Sequence, residues 1–196
     1  MYYVRKLDKP LNLEKIKSFK DVNNIPADIL SQEFKTANNT LSFWQCETLD
    51  KIQDTFKAIL LSATSGKVSQ FIILEKAVLL NKGIVGDEDS LGITGYKGFG
   101  NLHVDLVNLD YGKIGALLEY IANISKSEDS KFIPKLDKDE VWTIIREVVE
   151  KNALDEVSMQ SQKTRMSKEK EDNALLLEIK KKAKQWNITY NEIFND

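Results

Sequence analysis

Short apolar runs alternate with amphipathic segments of helical length through the first two thirds of the chain. Four runs rich in β-branched and aromatic residues predict strands, at Tyr2–Leu7, Leu41–Glu47, Gln70–Glu75 and Leu102–Leu109. Between the second and third runs, apolar residues recur at helical spacing after Thr48, which predicts a capped helix of about 16 residues. A further helix follows the fourth run, with Asp110 as its N-cap.

This order of elements predicts a mixed α/β fold. A strand, a helix and another strand in succession suit a right-handed crossover. We expect a sheet of about four strands flanked by helices, with an α+β arrangement as the alternative. The segments at 12–20 and 27–34 predict shorter helices that cover the sheet.

Beyond residue 125 the pattern becomes helical. A polar stretch within residues 126–136 predicts a hinge between two parts of the chain. We therefore expect an α/β core domain at 1–125 and a C-terminal helical region at 137–196.

Local signals mark where the C-terminal helices begin. Asp137 and Glu140 have the spacing of a capping box, and Thr189 and Glu192 repeat that spacing near the end of the chain. Residues 160–173 are almost wholly polar, which predicts either a solvated helical arm or a disordered segment.

The C-terminal helices have wide apolar stripes and large aromatic residues that need a surface to pack on. We interpret these side chains as partner-binding, the partner being another protein or a second copy of the chain. The set is Trp142, Ile145, Val149, Leu176, Ile179, Trp186 and Phe194.

Six of the nine glycines lie between residues 83 and 100, which predicts a long loop at 82–101. Tyr96, Lys97 and Phe99 would let this loop bind a planar or anionic ligand. A surface loop whose aromatic residues pack back onto the sheet is the simpler alternative. The glycines match neither a Walker A loop nor a dinucleotide-binding fingerprint.

His103 is the only histidine, and on its predicted strand it shares a face with Asp105. Such a pair could act as a base with its orienting carboxylate, or supply two metal ligands. His103 and Asp105 are thus the catalytic candidates, and His103 joins the loop residues as a ligand-binding candidate. The simpler explanation is a solvated polar strand face. The sequence identifies no third ligand, so we predict neither a metal nor a cofactor.

Charge and cysteine content exclude several classes. The chain has 28 Lys and Arg against 30 Asp and Glu, so it lacks the positive field of non-specific nucleic-acid binders. The lysine cluster at 180–184 suits a helix C-terminus, and we do not expect nucleic-acid binding. The single cysteine, Cys46, excludes a disulfide framework.

No apolar run approaches the roughly 20 residues that span a bilayer, and residues 1–10 lack a signal-peptide pattern. We expect a cytoplasmic protein with no membrane partner.

Two functional hypotheses follow. The first is a non-catalytic protein–protein interaction or regulatory module, by analogy an antitoxin, immunity or defence accessory of a bacterial multi-component system. The second is a small enzyme or ligand-binding domain that acts on a phosphate- or nucleotide-bearing ligand, using the 82–101 loop with His103 and Asp105. We favour the first, because one histidine and one cysteine supply little reactive chemistry.

Overall fold

The computed structural model describes residues 1–7, 34–62, 67–127, 130–166 and 174–188. Within these ranges the strands are β1 (Tyr2–Leu7), β2 (Leu41–Cys46), β3 (Ser69–Glu75), β4 (Val85–Asp87), β5 (His103–Val107) and β6 (Lys135–Leu136). The α-helices are α1 (Ile52–Leu61), α2 (Lys76–Asn81), α3 (Tyr111–Lys126), α4 (Lys138–Glu150), α5 (Glu156–Met166) and α6 (Ala174–Gln185). The predicted mixture of helices and strands is confirmed.

Within the described ranges the sheet has six strands, so the prediction of about four is wrong. β1, β2, β3 and β5 lie where the apolar runs predicted strands. The two that were missed, β4 and β6, have three and two residues and form the edges of the sheet. Strands this short are held by their neighbours and cannot display an alternating pattern of their own.

The strand order is β4-β5-β2-β1-β3-β6. β1 pairs antiparallel with both β2 and β3, and β5 pairs antiparallel with β2 and β4. β2 and β3 are therefore parallel to each other, with β1 between them. The segment that contains α1 connects β2 to β3, and these two strands are not neighbours in the sheet. The sequence pattern did not indicate that β1 lies between them.

Packing groups the described residues into two compact units. The first unit consists of the described residues in 1–49, 69–90 and 103–135, and the second of those in 50–68, 91–102 and 136–196. Each unit combines several segments that contact one another in space, whereas the predicted domains are continuous stretches of the chain. The domain boundaries placed around the 126–136 hinge stay a prediction.

In the first unit, α3 belongs to the same hydrophobic core as one face of the sheet. Asp110 caps the helix as predicted, because its carboxylate accepts a 2.8 Å hydrogen bond from the backbone N–H of Lys113. The core contains the apolar stripe of α3, alternate sheet residues and a residue of α2. Its members include Tyr3, Phe43, Ile72, Leu74, Leu79, Val104, Leu106, Ile114, Leu117, Leu118 and Ile121. The alternation of the strands thus supplies this face of the sheet with apolar side chains.

In the second unit, α1 packs against α4. A 3₁₀ turn at Leu49–Lys51 precedes α1 and makes Lys51 its N-cap, so the predicted Thr48 cap is wrong. α1 has 10 residues, fewer than the length expected from the apolar spacing. The capping box of α4 is confirmed: the Asp137 carboxylate accepts two backbone N–H groups, and the Glu140 side chain accepts the N–H of Asp137.

Some predicted features lie outside the described residues. These are the segment at 12–20, nearly all of 27–34, the Thr189 capping box and Phe194. Of the predicted arm at 160–173, the part up to Met166 belongs to α5, and the remainder also lies outside the described ranges.

We predict that Asp137→Ala lowers the free energy of unfolding by about 0.5–2 kcal/mol, because two backbone N–H groups of α4 lose their acceptor. Urea denaturation followed by circular dichroism measures the loss. Asp139→Ala is the matched control, since it removes a carboxylate from the same turn without removing a capping hydrogen bond. Equal losses in the two variants would contradict a stabilising role for the box.

Candidate functional site

The pairing of β2 with β5 brings polar and aromatic side chains together in the first unit. The register places Trp44 opposite His103 and Ser42 opposite Asp105. Since side chains two residues apart share a face, all four lie on the same side of the sheet. The rings of Trp44 and His103 meet edge-on, with centroids 5.4 Å apart. The predicted pair, His103 and Asp105, is therefore part of a larger cluster.

Both ring nitrogens of His103 lie near polar groups. Nδ1 is 2.9 Å from the Ser90 hydroxyl, and Nε2 is 3.8 Å from Oδ1 of Asp105. The Ser42 hydroxyl donates to that same carboxylate oxygen at 2.8 Å. A carboxylate beside Nε2 favours the tautomer with its proton there. In that tautomer Nδ1 can accept from the Ser90 hydroxyl when the hydroxyl turns away from the Asp87 carbonyl, to which it donates in the structure.

Burial lowers the pKa of His103 below its ordinary value near 6.5, and the charge of Asp105 together with a hydrogen bond to the Ser90 backbone opposes this effect only in part. The imidazole is consequently neutral at pH 7. A neutral imidazole in contact with a hydroxyl has the chemical character of a general base.

Ser90 was not among the predicted site residues. The turn after β4 positions it: the Asp87 side chain accepts the backbone N–H of Asp89 at 3.1 Å, and the Asp87 carbonyl lies 3.2 Å from the Ser90 hydroxyl. Ser90 precedes His103 by 13 residues, and no recognised motif spans that interval. Only the short β4 strand, which the sequence does not reveal, brings this turn to β5.

Tyr96, Lys97 and Phe99 lie in the second unit, whereas His103 lies in the first. Tyr96 and Phe99 stack in parallel with their centroids 4.0 Å apart, and the Tyr96 hydroxyl donates to Asp54 at 3.3 Å. Lys97 is exposed. The two aromatic faces thus contact each other, and ligand binding by these three residues stays a prediction.

The segment at 82–101 has more structure than the predicted loop. It contains β4, and Tyr96 forms a β-bridge with Leu154.

Charged groups surround the Tyr96 hydroxyl. Lys57, whose side chain is buried, lies 3.7 Å from Asp54 and 3.2 Å from Glu147. Burial, with the charge and hydrogen bond of Asp54, raises the pKa of Tyr96 to about 12. The hydroxyl of Tyr96 is therefore protonated at neutral pH and serves as a hydrogen-bond donor.

Most of the predicted partner-binding side chains are buried within the chain itself. These are Trp142, Ile145, Val149, Leu176 and Ile179. Trp186 is half-buried, with its ring tilted against that of Trp142 at a centroid distance of 6.4 Å. Their role in binding a partner stays a prediction.

α4 and α6 contribute to a cleft in the second unit, with a volume of about 350 Å³. The cleft is lined by Lys67, Lys138, Trp142, Glu178, Lys181, Lys182 and Gln185. The four α6 residues recur at helical spacing, and Lys138 and Trp142 are one turn apart on α4. Four lysines against one glutamate give the lining a net positive charge, which attracts anions. The sequence showed the α6 lysines, but not that Lys67 and Lys138 join them.

No protein-family model, curated protein sequence or solved structure matches the chain. Among the described residues, no three His, Cys, Asp or Glu side chains are grouped so that they could hold a metal ion. Within those same ranges, no helix combines the length and the apolar character needed to cross a bilayer. The polar cluster around His103 and the basic cleft around Trp142 are therefore the two candidate sites.

We predict that an NMR titration gives a pKa for His103 below 6.5, because the folded chain disfavours the imidazolium. Asp105→Asn lowers the pKa further, since it removes the charge that favours protonation. The unfolded chain binds the proton more readily, so stability decreases as the pH falls below about 6.5. A wild-type pKa at or above 6.5 would contradict the burial argument.

Proposed function

We propose that this protein is a non-catalytic interaction or regulatory module, and that its second unit recognises an anionic group on a partner protein. An antitoxin, immunity or defence accessory is one form that such a module takes. The basic cleft between α4 and α6 is the observation that supports the proposal.

The charge of the cleft differs from that of the whole chain. The net charge of the protein is −2, so its overall field does not attract anions. The cleft nevertheless has four lysines and a single glutamate in its lining. Lysines repel one another in such a group, and an anionic occupant would relieve that repulsion.

Trp142 in the cleft and Trp186, whose ring contacts that of Trp142, suit an interface. The ammonium of Lys182 lies 4.8 Å from the ring centroid of Trp142, and the guanidinium of Arg146 lies 5.8 Å from that of Trp186. Tryptophan and arginine are enriched among the residues that contribute most to binding. An aromatic ring with an ammonium group over it, as at Trp142, favours an acidic partner over an apolar one.

We predict that the protein is retained on a phosphocellulose column at low salt and that a cleft variant elutes earlier. The cleft variant replaces Lys138, Lys181 and Lys182 with Gln, which removes the charges that face the anion. The salt concentration at elution is the measurement.

The matched control replaces Lys97, Lys151 and Lys184 with Gln. These are exposed lysines of the second unit that do not line the cleft, and their loss changes the net charge equally. We expect the control to elute close to the wild type. If both variants elute together, the cleft has no special role in anion recognition. If a second copy of the chain is the partner, the wild type self-associates in sedimentation and the cleft variant does not.

A second candidate function is favoured by the 2.9 Å contact between Ser90 and His103. It is a small enzyme acting on a phosphate-bearing ligand. The Ser90 oxygen would attack phosphorus, Nδ1 of His103 would take the hydroxyl proton, and that proton would then pass to the departing alcohol. Water would next attack the phosphoserine, with His103 taking a proton from the water and returning it to the Ser90 oxygen as inorganic phosphate leaves. Asp105 would stabilise the imidazolium that forms.

The two functions are separated by assaying p-nitrophenyl phosphate with wild type, Ser90→Ala and His103→Gln. If the protein is non-catalytic, all three release p-nitrophenol at the background rate, because no covalent step takes place. A wild-type rate above background that both substitutions abolish would favour the enzyme. Ser127→Ala, at an exposed serine of the same unit, is the control.

A further inference from the structure

The indole of Trp142 is a buried donor without an acceptor. The residue is 6% exposed and lines the basic cleft. Its Nε1 atom is inaccessible to solvent and has no hydrogen-bond partner among the described residues. An indole N–H can only donate, and a buried one usually has a partner, because leaving it unpaired is costly. Within the described part of the chain, a residue that lines the cleft thus has a donor whose acceptor is missing.

The surrounding charges specify what kind of acceptor fits. Three lysines, Lys138, Lys181 and Lys182, have no carboxylate within ion-pair distance in the part of the chain that the structure describes. A single carboxylate has one negative charge and would leave most of this charge uncompensated. A phosphate monoester has a charge of about −1.5 to −2 at neutral pH and three acceptor oxygens. It can form ion pairs with several ammonium groups and still accept a hydrogen bond from the indole N–H.

The size of the cleft limits what the phosphate can be attached to. A volume of about 350 Å³ lies at the lower end of the range for small-molecule sites, which begins at about 300 Å³. It accommodates one phosphate with a small attached body. A nucleic-acid duplex is bound through a row of phosphates over a much larger surface.

We propose that the cleft binds a phosphate monoester. Binding moves the Lys182 side chain, whose ammonium lies 4.8 Å from the Trp142 ring centroid, and Nε1–H of Trp142 then donates a hydrogen bond to one of the phosphate oxygens. The proposal rests on the proposed function, since it identifies the anionic group that the second unit recognises. The ammonium groups supply charge, and the indole supplies direction. A phosphorylated side chain of the partner protein presents this group. A small nucleotide has the same chemistry, and tighter binding of the nucleotide would support the phosphate inference but contradict recognition of a partner protein.

The test follows the tryptophan indole resonances in ¹H–¹⁵N spectra during titration of the full-length protein. The ligands are inorganic phosphate, O-phosphoserine and adenosine monophosphate, with serine and adenosine as unphosphorylated controls. The chain has three tryptophans, so Trp142→Phe and Trp186→Phe spectra assign the signals. We expect a saturable shift of the Trp142 indole with phosphorylated ligands only. The tighter of the two organic ligands shows whether a side chain or a nucleotide is the source of the phosphate.

Two substitutions test the roles of the indole and the charge. Trp142→Phe keeps an aromatic ring but removes the N–H, and we expect affinity to fall at least about tenfold. Glu178→Gln removes the only acidic lining group and should raise affinity about two- to fivefold. Thermal denaturation checks that both variants fold. If Trp142→Phe does not fold, the indole shift in the wild type decides the question.

The outcomes distinguish this inference from the proposed function. If the cleft variant loses its retention on phosphocellulose but the Trp142 indole does not respond to phosphate, anion recognition stands and the phosphate inference is wrong. Unchanged affinity in a folded Trp142→Phe variant likewise overturns the inference. If the cleft variant is retained as strongly as the wild type and no indole shifts, both proposals fail.

Discussion

Antiparallel pairing along β1 is the constraint on which the first unit depends. All six residues of β1 pair with β3, and Tyr2–Val4 also pair with β2. β2 in turn pairs with β5, so the position of β5 follows from the register set by the strands before it. A slip of one residue would move His103 and Asp105 to the opposite face. The polar cluster exists because this register places Ser42 and Trp44 opposite those two residues.

A different constraint sets the site in the second unit. The apolar stripes of α4 and α6 are buried, so the polar residues beside those stripes are left at the surface between the helices. Long lysine side chains can pack along apolar surface while their ammonium groups stay in water. Hydrophobic burial thus collects lysines around Trp142, although like charges repel each other. The energetic cost of that arrangement is a physical reason to regard the cleft as a binding site.

The two candidate sites differ in what they are equipped to do. The cluster around His103 has a neutral imidazole, a hydroxyl and a carboxylate, which are groups that move protons. The cleft around Trp142 has fixed positive charge and a buried donor, which are groups that hold an anion. Two features of the cleft favour binding. Its volume of about 350 Å³ is that of a ligand site, and the Trp142 indole, which has no acceptor among the described residues, can give an occupant a specific hydrogen bond.

Some features follow from the sequence because they depend on residues close together in the chain. β1, the Asp110 cap and the Asp137–Glu140 capping box are of this kind. The sequence also identified His103 and Asp105 as neighbours on one face, because strand alternation is local. Other features were decided only by the tertiary structure. These are the strand order, the short edge strands, the contact of Ser90 with His103, and the assembly of Lys67 and Lys138 with the α6 lysines. Each of these features joins residues that are far apart in the chain, so no local pattern reveals it. Hydrophobic periodicity shows that a helix has an apolar stripe, but it does not show which element covers that stripe.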